Sequence, residues 1–270
     1  MQMQSAYRER IQERSAPDPT LERRLELFSL ILQSPGGEPI GKLSDHLACT
    51  ALSVSMRGKL CQQLAQLPRR HFQPGQHLYL MGNPARSVFL VQSGLIKASV
   101  ISPAGEALTL RMYKSGDILG ELCLCGGGRR EEAVALEPST VTEIPLASLL
   151  AQLKRDPETA LEIASLACER LADAYEQIES LSWDTVLHRL VRTLLRLAND
   201  LGEASEGSTR LAHYIRQEEL ARLIGARREV VSGLLNRLRA SGHISYSPRG
   251  AITVRPAGLQ RFLDARAASA

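Results

Sequence analysis

Near its C-terminus the chain runs QEELARLIGARREVVSGLLNRLRASGHI, from Gln217 to Ile244. Two short helices that cross closely need a small residue at the crossing, a turn residue able to take positive φ, and apolar residues that lock the pair. Those requirements fall on Ala221, Gly225 and Val231, with Leu220, Ile224 and Leu234 completing one buried face. The spacing predicts a helix-turn-helix with Arg227, Arg228, Glu229 and Ser232 at the start of its second helix. Directly after it, HISYS and AITV flank a Pro-Arg-Gly turn and predict a two-stranded wing.

Charge supports the same end of the molecule. From residue 209 to 270 there are eleven arginines, no lysine and four acids, a net +7 within a chain whose total is +4. A basic module on a slightly acidic body implies a polyanionic partner, and with the motif that partner is double-stranded DNA. Arg228 can offer paired donors to guanine, and Glu229 can accept from a cytosine amino group. Arg227, Arg237 and Arg249 suit phosphate, which positions without reading sequence, and Gln217 opens the first helix of the pair. A helical hairpin used only for packing would leave these arginines without a role.

From His71 the texture differs. HLYLMG, SVFLVQSG, LIKASVIS, ALTLRMYKSG and VTEIP are short β-rich runs separated by turn residues, and they predict a sandwich or roll over roughly residues 65–146. Helical patterns follow. Asp156 and Pro157 form a capped start, and Leu161, Ala164, Cys168, Leu171, Tyr175 and Ile178 repeat at the 3-4 spacing of a two-stranded coiled-coil seam. The pattern fits a dimerisation helix or a helix packed on its own β-domain. A further helix is expected over 185–201, then a GEASEGS linker over 202–208. Upstream, Leu21–Gln33 repeats Leu21, Leu25, Phe28 and Leu32 at helical spacing within an extension that names no function.

No stretch reaches the roughly 18 apolar residues of a membrane span, and MQMQSAYRERIQERS lacks the apolar core of a secretory signal. Cys49, Cys61, Cys123, Cys125 and Cys168 are then expected as reduced thiols in the cytoplasm, chiefly buried and structural. Cys123 and Cys125 form a C-x-C beside Arg129 and Arg130, which leaves a redox role open. Their spacing matches no strong metal motif, and His71 and His77 read as turn or surface residues. No nucleophile with a base and no phosphate-binding Walker loop is present, so no enzyme is expected.

A β-roll, a long helix and a winged helix-turn-helix in this order resemble the CRP/FNR family of bacterial transcription regulators, over about residues 51–260. SGDILGELCL resembles the family's turn into its ligand cassette, HRLVRTLLRLA the first helix of its DNA-binding domain, and RQEELARLIGARREVV its helix-turn-helix. The resemblance implies an α+β fold: an N-terminal β-roll of the cyclic-nucleotide-binding, jelly-roll type, a dimerisation helix and a C-terminal reader. The corresponding divisions are 1–50, 51–157, 158–184 and 185–270. It further implies a homodimer on an inverted-repeat operator, RNA polymerase as partner if the protein activates, and no required cofactor. Family members that bind cyclic AMP read a further base with an arginine where this chain has Gly233, so the half-site is expected to differ.

The cassette departs further. Cyclic-nucleotide binders hold the ribose with the glutamate of Gly-Glu-Leu, here Gly120, Glu121 and Leu122, and the cyclic phosphate with an arginine and a hydroxyl residue. Counted without a gap, those two positions are Glu131 and Glu132, which reverse the sign of the interaction. Sliding the frame brings Arg130 forward but turns its side chain to the other face of a strand. The base-contacting Thr-Ser of the family's long helix aligns with Ala174 and Tyr175, and a tyrosine would fill space that adenine takes. Cyclic AMP is therefore not expected to bind in the usual way, and the effector is unknown. The glutamates could instead pair with Arg129, Arg130 or a partner subunit and hold a DNA-binding form without effector. The alternative from another class is a ligand-binding sensor whose helical tail contacts protein.

Overall fold

A computed structural model describes residues 67–247 and 250–267. Eight strands build the roll: β1 (Arg69–Phe72), β2 (His77–Tyr79), β3 (Ser87–Ser93), β4 (Ile96–Ile101), β5 (Ala107–Tyr113), β6 (Ile118–Leu119), β7 (Glu132–Ala135) and β8 (Ser139–Pro145). They form two antiparallel four-stranded sheets, ordered β1-β8-β3-β6 and β2-β7-β4-β5. Phe72, Phe89, Val91, Ile96, Ala98 and Val141 fill the space between them. The VFLV centre of β3 is apolar without a break because it is buried on both faces. Phe89 and Val91 point into the roll, while Val88 and Leu90 meet α1 (Leu146–Arg155) and the start of α2 (Pro157–Trp183) through Leu149 and Ile163.

The long helix α2 begins as the sequence predicts. The Asp156 carboxylate accepts from the backbone N–H of Glu158 at 3.1 Å and of Thr159 at 3.4 Å, with Pro157 in the first turn. Its N-terminal face buries Thr159 and Ile163 against the roll, while the predicted seam points away. Leu161, Leu171, Tyr175 and Ile178 are 52–63% exposed. Packing on the roll and a free apolar seam thus occupy different faces of one helix.

The chain turns at Asp184, and Thr185 caps α3 (Val186–Leu201) through its side chain. The expected linker at 202–208 is instead a hairpin. β9 (Gly202–Ser205) and β10 (Ser208–Leu211) pair in register around Glu206-Gly207, a two-residue turn suited to closing antiparallel strands. The polarity that suggested a linker belongs to an exposed edge strand: β10 joins β12 (Thr253–Val254), which pairs β11 (Ile244–Ser245) as the predicted wing. α4 (Gln217–Ile224) and α5 (Arg228–Ala240) form the helix pair, and α6 (Pro256–Ala267) closes the module.

The reader does not stand apart from the roll. Leu95 and Met112 of the roll share one apolar core with Leu194, Leu220, Val231 and Leu235. Lys97 of β4 and Glu219 of α4, 122 positions apart, form an ion pair at 2.8 and 3.0 Å with side chains only 7% and 10% exposed. Glu137 and His213 meet at 2.9 Å, and the Lys114 ammonium donates to the carbonyl of Asp200.

Candidate DNA-reading face and effector cavity

Gly225 sits at φ 60°, ψ 50°, the left-handed conformation that lets α4 stop and the chain turn into α5. Leu220, Ala221 and Ile224 on α4 pack with Val231 and Leu235 on α5, all under 5% exposed, and Leu234 lies partly buried beside them. This lock leaves the opening turns of α5 outward. Arg227, Arg228 and Glu229 are exposed, Ser232 is partly so, and Arg237 is exposed further along. Arg228, Ser232 and Asn236 follow one another at four-residue spacing and line a notch with Arg216, Gln217 and Tyr246. Tyr246 closes the notch by donating to Asn236 at 3.1 Å while Arg239 lies over its ring. Arg249 lies outside the described residues. Arg222 is engaged within its own helix by Glu218 and Glu219.

The second site is a cavity of about 500 Å³ between the roll, α2 and α3. Of the cassette residues, Glu121, Leu122 and Glu131 line it, with Ala174 from α2. Gly120, which is not part of the lining, sits at φ 81°, and the next residues form a 3-10 turn over Glu121–Cys125. The other predicted residues go elsewhere. The Arg129 guanidinium is buried, donates to the carbonyls of Gly120 and Ser87, and lies 4.1 Å over the Tyr79 ring. A Cβ at position 120 would fall 2.5 Å from its Nη1, so glycine is required for this approach as well as for the turn. Arg130 is exposed.

Alternation along the chain separates the two glutamates. Glu131 faces the cavity and accepts from the Tyr79 hydroxyl at 3.1 Å. Glu132, the first residue of β7, takes the opposite face, where it accepts from Ser99 at 2.9 Å and lies 3.6 Å from His77. Only one of the pair can oppose a ligand from inside. Neither forms an ion pair with Arg129 or Arg130 among the described residues. Tyr175 is 63% exposed on the seam and does not line this cavity.

Burial pushes the Glu131 carboxyl above the usual carboxylate range, reinforced by the neighbouring charge of Glu121. Folded Glu131 therefore holds its proton more tightly than the unfolded chain does. Its contribution is fully present below the ordinary carboxylate pKa and is lost as pH rises through the raised value. Glu131→Gln is expected to match the parent in urea stability near about pH 4 and to exceed it increasingly toward about pH 8.

Arg170 of α2 is the cavity residue that sequence reasoning missed. It pairs with Glu121, donates to the Ile118 carbonyl and lies over the Tyr113 ring. It sits on the face of α2 opposite the seam, and no local spacing links it to Glu121. Among the described residues the thiols divide rather than being buried together: Cys123 is 1% exposed, whereas Cys125 and Cys168 are exposed, and Cys49 and Cys61 lie outside those residues. His71 meets the Thr140 hydroxyl at the surface. Among the described residues no group of three or more His, Cys, Asp or Glu could hold a metal ion, and no helix is long and apolar enough to cross a membrane.

Residues 69–156 match the cyclic nucleotide-binding domain and residues 188–262 the Crp-like helix-turn-helix domain. The cyclic AMP receptor protein of Thermus thermophilus is 30% identical over 198 residues, 73% of this chain and 88% of that protein. The chain belongs to the CRP/FNR family. The global nitrogen regulator of Synechococcus elongatus, also similar, is 28% identical over 76% of this chain and 91% of its own. The fold of this CRP/FNR protein is also that of FixK2 from Bradyrhizobium japonicum, with TM-score 0.65 at 21% identity over 72% of this chain and 96% of that one. The resemblance read from the motifs and the α+β architecture both hold, and the chain is a transcription regulator with a helix-turn-helix DNA-binding domain.

Proposed function

We propose that this regulator acts as a homodimer on an inverted-repeat operator, with α5 of each subunit in the major groove. The observation that carries the reading is the outward first turn of α5, with Arg228 and Glu229 exposed on a helix anchored beneath by Val231 and Leu235. The exposed apolar seam of α2 supports the dimer, because a monomer in water has no use for Leu161, Leu171, Tyr175 and Ile178 in a row. In this reading Arg228 and Glu229 read bases, Ser232 sits beside them, and Arg227, Arg237 and Gln217 hold phosphate. RNA polymerase is the partner if the protein activates.

The effector, where one acts, is not cyclic AMP bound in the usual mode, because Glu131 stands in the wall where a cyclic phosphate would need a cation. Operator selection from random duplexes, followed by gel shift over a salt series, tests the reading. Binding should weaken steeply with salt if several arginines meet phosphate. Arg228→Ala should cost about 1–3 kcal/mol at the preferred base and level the discrimination there. Equal loss on every sequence would make Arg228 a backbone contact.

A further inference from the structure

The cavity has more walls than a pocket contained within the sensor roll. Its inner end is formed by Glu131 and Glu121, and its side by Ala167 and Ala174 of α2. Its far wall belongs to the DNA-binding module through Arg196, Leu197 and Leu223. Most of the lining is apolar, Leu110, Met112, Leu122 and Leu171 among it. A volume of about 500 Å³ is in the range that houses a small organic ligand.

Two of the three cations on this wall have an ionic partner within the protein. Arg170 pairs with Glu121 but keeps its buried Nε without a hydrogen-bond acceptor, Arg111 pairs with Asp173, and Glu131 accepts from the Tyr79 hydroxyl. The Asp200 carboxylate accepts only from the neutral Asn199 amide at 3.2 Å and keeps its charge, one turn along α3 from Arg196. Arg196 is different: it is partly buried, it lines the cavity, and no ion pair or hydrogen bond engages its guanidinium among the described residues. One cation without a partner at one end of an apolar chamber fits one anionic head on an apolar body. A planar guanidinium fork matches a carboxylate. A doubly charged or phosphate-rich ligand has no second free cation to meet among the described residues, and it would face Glu131.

Resting on the reading of the chain as an effector-responsive regulator, we infer that this cavity binds an apolar monocarboxylic acid, with its carboxylate on Arg196 of α3 and its hydrocarbon body against Leu122, Met112 and Leu223. Because Arg196 and Leu223 belong to the module that reads DNA, such a ligand ties the reader to the roll directly. Its binding and operator binding must then alter one another by the same factor.

The test uses the full-length protein and four probes, octanoate, 4-phenylbutyrate, octanamide and cyclic AMP, each followed by titration calorimetry. The acids are expected to bind one per chain, at least tenfold tighter than octanamide, and cyclic AMP is not expected to displace them. Arg196→Gln should remove the preference for acid over amide while leaving amide binding in place. Leu122→Trp, at an exposed position on the cavity rim, and Ala167→Trp should weaken acid and amide together by filling the space, and circular dichroism reports that each still folds. Acid binding by Arg196→Gln at parental strength, equal binding of acid and amide, or no binding of either acid overturns the inference. Operator binding is measured on the same preparations: intact gel shifts with no acid binding remove this ligand alone, whereas loss of operator binding by the parent removes the regulator reading beneath it.

Discussion

Lys97→Met should destabilise the folded protein by about 3 kcal/mol, the low end of what breaking a buried ion pair costs. The substitution leaves the Glu219 carboxylate in a site where its side chain is only 10% exposed. Arg222, at 2.7 Å from Glu219 Oε1, still serves one oxygen, which keeps the loss at that end of the range. Urea unfolding followed by circular dichroism measures it. The double variant Lys97→Met with Glu219→Leu should recover most of the loss, since apolar groups of similar volume commonly replace a buried pair without cost. If the single and double variants are equally unstable, the cost comes from the packing of the introduced methionine and not from a stranded charge. The pair joins strand β4 to helix α4, so the single variant should also loosen the reader from the roll, seen as faster amide exchange in α4 than in β3.

Arg129→Met is expected to cost about 3–5 kcal/mol, because hydrogen bonds from a charged donor contribute about 1.5–3 kcal/mol each and two buried carbonyls lose theirs. Those carbonyls are Ser87 O at 2.6 Å and Gly120 O at 3.0 Å, and the stacking over Tyr79 goes with them. Arg129→Lys keeps the charge but replaces a flat fork with a point donor, so it should recover only part of the loss. Thermal denaturation of the two variants against the parent checks the order. A methionine variant as stable as the parent would mean that water reaches both carbonyls and that Arg129 is not the buttress of the Gly120 turn.

Arg129 also shows where sequence reading stops. Beside three glycines and Arg130 it looks like a phosphate ligand, and its charge and position in the chain are consistent with that role. What decides its direction is the depth of the loop against β3, which only tertiary packing sets. The glutamates show the same limit at finer scale. That β7 alternates is legible, but which of Glu131 and Glu132 faces inward depends on where the strand begins after a glycine-rich loop of uncertain length. The helix-turn-helix was legible because its lock is local: Ala221, Gly225 and Val231 lie within eleven residues. Lys97 with Glu219, and Arg170 with Glu121, were not, because each pair joins elements far apart in the chain. The hairpin at 202–211 was missed because polar residues on an exposed edge strand read like a linker.

The length of α2 has a consequence of its own. Its 27 residues make a rod of about 40 Å, rooted in the roll at Ile163 and ending at Asp184. At Asp184 the Ser180 hydroxyl, Arg192 and a donor from Arg189 to the Asp184 carbonyl tie rod and reader together. A tilt of about 5° at Ile163 would sweep the far end, about 30 Å away, by about 2.6 Å, nearly the rise of two helical residues. Arg170 and Ala174 lie partway along that rod, in contact with the cavity. A displacement of a fraction of an ångström at Arg170, beside Glu121 and about 10 Å from Ile163, therefore arrives at Asp184 about threefold larger, as a load on the contacts that join rod, reader and roll.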